Sequence, residues 1–574
     1  MSARRVALFL VVLFGVLGGA VLIATLAVRR PATTPAATVL VFDVPVSLEE
    51  AQPPSEGSLV DLLRREHPTV WMLAHGIREA ASDTRVKALV LHIGRVEWGW
   101  AKVSEIREAV LDFRRAGKPV YAALEGGGER EYLLASAAGT IASPPLAMLQ
   151  LDGLTASALF MRGTLDKVGV TPNFAQSGRY KSAVEGWTQG GMSVPAREAL
   201  QALVDDQFGL LVDSLSTARG IAADDVVRLL DDGPFGAREA LARGVIDTLL
   251  HRSDLDSMVT VSVEGRRTTL SLNRYVSRLD SPRGGRRVAL VTAVGTIAEG
   301  RSRGSSSEGQ ILGAETLIKA LREARNRASI EAIVLRVDSP GGSAQASDEI
   351  WQEVKRCAER KPVIASFSDL AASGGYYIAV PADSIVAEPG TLTGSIGAFG
   401  GKLNLLGLYR KLGLNVETVS RGRHAEMFSS FRDFSPEESM RFQAQMDEVY
   451  RVFLNRVSEG RGRTETEIDS VGQGRVWTGL SARKRGLVDA LGGLPSAFAM
   501  ARARAGIGED ESITVDVYPR VERSLFERLF AEMVADEETL EAVVLPPVVR
   551  AWLAAASFPS GTALTLLPWS IEVR

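Results

Sequence analysis

The sequence lacks most of the residues that would give it an easily named chemistry. A single cysteine, Cys357, stands among 574 residues, so neither an intrachain disulfide nor a cysteine zinc cluster can form. The stretch around it, WQEVKRCAER, has a helical pattern, which suits a buried structural thiol. The 5 histidines make no HExxH or similar spacing, so no metal site is expected. Charge of one sign is also missing: the formal net charge is -3, with no basic stripe, and nucleic acid is not an expected partner. The glycines of GTLTGSIGAFGGK do not make a phosphate loop, because Leu403 follows Lys402 where Ser or Thr is required. No cofactor is expected.

One long hydrophobic run is present. Val6 to Val28 carries no charge, and at about 1.5 Å per residue it spans a hydrocarbon core of roughly 30 Å. A cleaved signal peptide has a shorter apolar region, of about 7–15 residues, so an uncleaved transmembrane anchor is predicted. Arg4 and Arg5 before the run balance Arg29 and Arg30 after it, and charge alone does not orient the span. PATTPAA follows as a flexible tether.

The rest of the chain is written twice. ALVLHIG (88–94) aligns with AIVLRVD (332–338), KPVYA (118–122) with KPVIA (361–365), and YLLASAAGTIASPP (132–145) with YYIAVPADSIVAEP (376–389). LDKVGV (165–170) and RGVID (243–247) likewise meet YRKLGL (409–414) and RGLVD (485–489). The offset stays near 244 throughout, a register that only a tandem duplication would keep. Each copy alternates short β-branched runs with charged amphipathic segments, which predicts an α/β fold of repeated β-α-β units with parallel strands. The predicted organisation is an anchor and tether over 1–36, an N-terminal copy over 37–255 and a linker over 256–285. A C-terminal copy over 286–505 and an extension over 506–574 follow. Residues 520–574, rich in Leu, Val, Phe and Trp, are expected to form a packing arm, with a membrane-surface helix as the alternative.

Candidate chemistry lies in two glycine turns of the C-terminal copy. DSPGGS (338–343) follows a predicted strand, and DLAASGGYYIA places Ser373 at a helix start before Gly374 and Gly375. Alone, the first is an ordinary strand-to-helix turn and the serine an ordinary cap. Together they can converge backbone N–H donors on one oxyanion while presenting a hydroxyl. A serine hydroxyl needs a base, and no Ser-His-Asp arrangement suggests itself. In the N-terminal copy SGRYKSAVEG carries Lys181 after a predicted strand, a residue that taken alone reads as a solvated charge.

ASGGYYIA, DSPGG, TGSIG and GRYKSAVE together resemble signal peptide peptidase A, also called protease IV, in its long double-domain form. The resemblance covers nearly the whole chain beyond the anchor. It implies two tandem crotonase/Clp-protease-like domains and a Ser–Lys dyad, with Ser373 as nucleophile and Lys181 as general base. It further implies Ser395 as an orienter of the lysine and an oxyanion hole from Gly374, Gly341 and Gly342. A tetrameric homo-oligomer, peptide substrates that include signal-peptide remnants, and an inner-membrane location facing the periplasm also belong to what it implies.

The duplication agrees with a split dyad. One repeat away, Lys181 faces Ala425 and Ser373 faces Glu129 or a neighbouring residue, where no serine stands, while DSPGG faces GRVEW, which has neither turn glycine. Two other readings remain open: a crotonase-like acyl-CoA enzyme, which would need pocket carboxylates but not Lys181, and an inactive membrane scaffold.

Overall fold

The computed structural model describes residues 34–52, 68–262, 268–279, 284–305, 309–520 and 562–566. The predicted span Val6 to Val28 lies outside the described residues. Among those described, no helix is long and apolar enough to cross a membrane.

Each copy folds around its own sheet, parallel throughout in the first copy and parallel except for the pairing of Leu392–Gly394 with Val476–Thr478 in the second. The N-terminal sheet has six strands, with Val86–Ile93 at its centre between Thr38–Asp43 and Val120–Leu124. The central strand, VKALVLHI, is buried everywhere except Lys87, as a strand covered on both faces must be. In the C-terminal sheet the same place is held by Ile330–Ser339, between Arg286–Val294 and Val363–Ala372. Apolar clusters built on Leu40, Leu89, Ile106 and Phe113 in one copy, and on Ile333, Ile350, Phe367 and Phe453 in the other, fill the space between sheets and helices.

The duplication extends to individual hydrogen bonds. Lys118 Nζ donates to the carbonyls of Ala80 and Asp83, and Lys361 Nζ does the same to Ala324 and Arg327. The Tyr132 hydroxyl donates to Val245 O at 2.8 Å and the Tyr376 hydroxyl to Leu487 O at 2.8 Å. Cys357 is buried and its thiol is pushed up to about 12, chiefly by desolvation, as befits a packing residue.

The copy boundaries differ from the expected ones. Residues 256–285 are not a bare linker: the helix Arg252–Ser262, the strand Thr268–Ser271 and the helix Leu272–Val276 all fall in or across it. Thr268–Ser271 extends the N-terminal sheet beside Thr38–Asp43, and Ile513–Tyr518, beyond residue 505, extends the C-terminal sheet beside Arg286–Val294. Both are edge strands, short and partly polar, and edge position explains why they carry no clear apolar signature.

A third, mixed sheet joins the copies. Thr171–Ser177 of the first pairs antiparallel with Ala398–Asn404 of the second, from Thr171 opposite Asn404 to Ser177 opposite Ala398. Of the C-terminal extension, Leu564–Leu566 is described as a strand of this sheet, antiparallel to Gly341–Ser343.

Candidate active site

The strand Val363–Ala372 ends at Ser373, whose backbone sits at φ 55° and ψ -114° before the helix Gly374–Ala379. A positive φ costs a non-glycine residue about 1–2 kcal/mol, so the surrounding structure must impose it. It does: the Ser373 N–H donates to Gly394 O at 2.8 Å, and its carbonyl accepts the Tyr377 N–H at 2.8 Å. The Gly374 amide opens this helix, where N–H groups have no partner within the helix itself.

The DSPGG turn packs directly beside it. A Cβ on Gly375 would stand 2.6 Å from Ser339 O, so the helix can approach this closely only with glycine there. Gly341 has φ +96°, and its N–H points to Ser339 Oγ at a long 3.2 Å. Gly342 lies within the strand Gly341–Ser343, opposite Ile297 and Thr565, and a Cβ there would come within 1.9 Å of Ile297 O, so the close packing of this strand needs glycine.

Lys181 follows the strand Thr171–Ser177 across the copy interface and is fully buried. Its Nζ lies 2.8 Å from Ser373 Oγ, 2.9 Å from Ser395 Oγ and 3.0 Å from Ser395 O. All these partners are neutral. Desolvation therefore acts unopposed and holds the amine well below the usual lysine range. Ser395, itself at φ 52°, is fixed by its N–H donating to Arg475 O at 2.7 Å.

The sequence reading missed the loop 472–475. The Tyr180 N–H donates to Gln473 O at 2.6 Å, the Arg179 N–H to Gln473 Oε1 at 3.1 Å, and the Gly474 N–H to Ile396 O at 2.7 Å. These residues form the wall on which the lysine segment rests. The glycines flanking Gln473 in VGQGRV were the signal available. Among the described residues, no group of three or more His, Cys, Asp or Glu is placed to hold a metal.

A buried hydroxyl, an amine whose pKa burial lowers and a neighbouring glycine turn at a helix start are parts that acyl transfer can use. Comparison with known families finds a match to "Peptidase family S49" over residues 112–263 and 355–508, one segment in each copy. The chain is 36% identical over 463 residues to "Serine protease SPPA, chloroplastic" of Arabidopsis thaliana, covering 79% of this chain and 68% of that protein. It is 32% identical to "Protease 4" of Salmonella typhi, covering 76% and 72% respectively. Among solved structures, a ClpP1 variant from Listeria monocytogenes aligns over 36% of this chain and 91% of its own at 15% identity, with a TM-score of 0.24, too slight to carry an argument. With both copies matched and the relatives aligned across three quarters of its length, the chain belongs to peptidase family S49 and is a serine endopeptidase.

Proposed function

We propose that the enzyme works through a Ser373–Lys181 dyad and acts as a membrane-anchored peptidase on hydrophobic peptides, cleaved signal peptides among them. The observation that carries this reading is the 2.8 Å approach of Lys181 Nζ to Ser373 Oγ in a buried site with neutral partners only. Neutral Lys181 takes the hydroxyl proton as Ser373 Oγ attacks the peptide carbonyl. The resulting ammonium protonates the leaving amine, and the amine then activates water to release the acyl group. The developing oxyanion is held by the N–H groups of Gly374 and of the Gly341–Gly342 turn. Ser395 accepts from the amine and fixes its direction.

The run Val6 to Val28 would hold the catalytic copies at the inner membrane, on its periplasmic side, where apolar peptides partition. A relative named "Putative signal peptide peptidase SppA", from Enterococcus faecium, is 34% identical over 179 residues, which supports the same substrate class.

Self-association belongs to this reading, and the duplication supports it. A Cβ on Gly169 would lie 2.7 Å from Gly407 C, and one on Gly407 would lie 2.4 Å from Gly169 O, so the copies touch there. One repeat away, Gly413 and Gly163 have nothing within 4 Å of such a Cβ. Leu412, Leu414 and Val419 stand exposed nearby. A head-to-tail contact between chains would reproduce the inner contact and cover them.

The test is labelling with a serine-reactive phosphonate followed by peptide mapping. Modification at Ser373 that disappears in Lys181→Ala is expected. Labelling elsewhere, or labelling indifferent to Lys181, would overturn the dyad.

A further inference from the structure

The N-terminal copy sends a second lysine into the C-terminal copy, and the dyad does not use it. Lys102 Nζ lies 2.8 Å from Asp338 Oδ2 and 3.6 Å from Asp369 Oδ2. Both carboxylates belong to the catalytic copy. Asp338 immediately precedes Ser339, Pro340 and the turn glycine Gly341, and Asp369 sits on the strand that ends in Ser373.

The backbone around them is irregular at this point. Ile330–Ser339 and Val363–Ala372 run in parallel register from Ile333–Val363 to Val337–Phe367, and then the register slips so that Ser339 faces Ala371. Asp338 sits in that slip, where its Oδ1 accepts the Leu370 N–H at 3.2 Å in place of a ladder bond. The slip brings the DSPGG turn level with the end of the nucleophile strand, where Gly375 presses on Ser339. One oxygen of Asp338 therefore defines the bulge, and the other is tied to an ammonium from the opposite copy.

That ammonium is itself held in place. The helix Trp100–Arg115 begins at Gly99, which has no side chain to cap it. Asp369 supplies the missing cap from the other copy: Gly99 N–H donates to Oδ2 and Lys102 N–H to Oδ1, each at 3.0 Å. A Cβ on Gly99 would fall 2.3 Å from Asp369 Cγ, so the approach needs glycine. The borrowed cap fixes the first turn of the helix, and the first turn aims Lys102 at Asp338.

We infer that Lys102 is a positioning residue for the oxyanion turn: through Asp338 it fixes the bulge that sets the Gly341 amide relative to Ser373. The N-terminal copy then contributes a base directly and an aligned oxyanion hole indirectly. The inference rests on the dyad reading, and Ser373→Ala in the same assays separates the two. If Ser373→Ala retains turnover, the dyad reading fails. If it is inactive while Lys102 proves dispensable, only this inference fails.

The experiment uses the full chain and a short chromogenic peptide, with kcat referred to active sites counted by phosphonate titration. Lys102→Met is expected to lower kcat about 100-fold, the loss typical of one misplaced oxyanion donor, while KM changes less than about 3-fold. Affinity for a peptide boronate, which needs the oxyanion hole, should fall with kcat, whereas uncleaved peptide should bind a Ser373→Ala background equally with and without Lys102→Met. Lys102→Arg should recover a large part of kcat, since a guanidinium can still bridge both carboxylates. Because Lys102→Met leaves two neighbouring carboxylates without a cation, the double variant Lys102→Met/Asp338→Asn provides a folded alternative. It should remain slow per active site, because the turn is untied even though no charge is stranded. Wild-type kcat per site in either variant, or a loss confined to KM, would overturn the inference.

Discussion

Gly474 lies against the backbone of Lys181 so closely that a Cβ at position 474 would stand 2.5 Å from the Lys181 nitrogen and 2.6 Å from its Cα. The glycine also has φ +78°, which a side chain would strain. Gly474→Ala is therefore expected to push the lysine segment off its wall while leaving both side chains of the dyad chemically unchanged. A shift of about 1 Å in a catalytic group costs on the order of 100-fold in rate. The check is kcat alongside circular dichroism: a folded Gly474→Ala enzyme with full turnover would show that the wall does not set the position of the base.

Ser373 combines a reactive hydroxyl with a strained backbone, and the two can be separated by mutation. Ser373→Ala and Ser373→Gly should both abolish hydrolysis. Glycine accepts φ 55° without penalty, so Ser373→Gly should be more stable than Ser373→Ala by about 1 kcal/mol. Chemical denaturation of the two variants measures the difference. Equal stability would mean that the turn relaxes and imposes no strain.

The lowered pKa of Lys181, caused by desolvation, has two pH signatures. The rate should rise as pH climbs through the lowered value, because only the free amine accepts a proton, and Lys181→Arg should be as inactive as Lys181→Ala. Stability carries the opposite cost. Below the lowered pKa folding must bury an ammonium, and the penalty fades only as pH rises toward the unfolded value of about 10.4. Lys181→Met should therefore raise Tm at neutral pH, with the gain shrinking as pH approaches that value. A rate that is flat between about pH 6 and 9 would count against a lysine base.

Much of the site was legible because the duplication supplied its own control. Lys181 opposite Ala425 and Ser373 opposite Glu129 mark positions where one copy carries a reactive group and the other does not. What stayed illegible depends on contacts between distant segments. Nothing local in DLAAS says that Asp369 will cap a helix starting 270 residues earlier, and nothing in VEWGWAK says that Lys102 will pair with Asp338. The ends of the copies were misplaced for a similar reason. Thr268–Ser271 is a strand because Thr38–Asp43 offers it an edge, not because its own residues insist on it.

Because the lysine segment and Ser373 lie on fused copies, the dyad is expected to assemble within one chain even in an oligomer. Co-expressing Ser373→Ala and Lys181→Ala chains with different tags tests this. Mixed assemblies should remain inactive; recovery of a sizeable share of wild-type turnover in purified mixed oligomers would place the dyad between chains.

The two lysines that cross the copy interface also divide the enzyme's response to pH. Lys181 meets neutral oxygens and burial lowers its pKa; Lys102 meets Asp338 and Asp369, whose attraction outweighs burial and raises its pKa. Residues of one type, both inserted from the same copy, are thus shifted in opposite directions. As acidity removes the free amine from Lys181, Lys102 keeps its charge, and its hold on the other copy then depends on Asp338, whose own pKa burial raises. Protons therefore reach the two crossings through different groups: the amine itself at Lys181, and the carboxylate partner at Lys102.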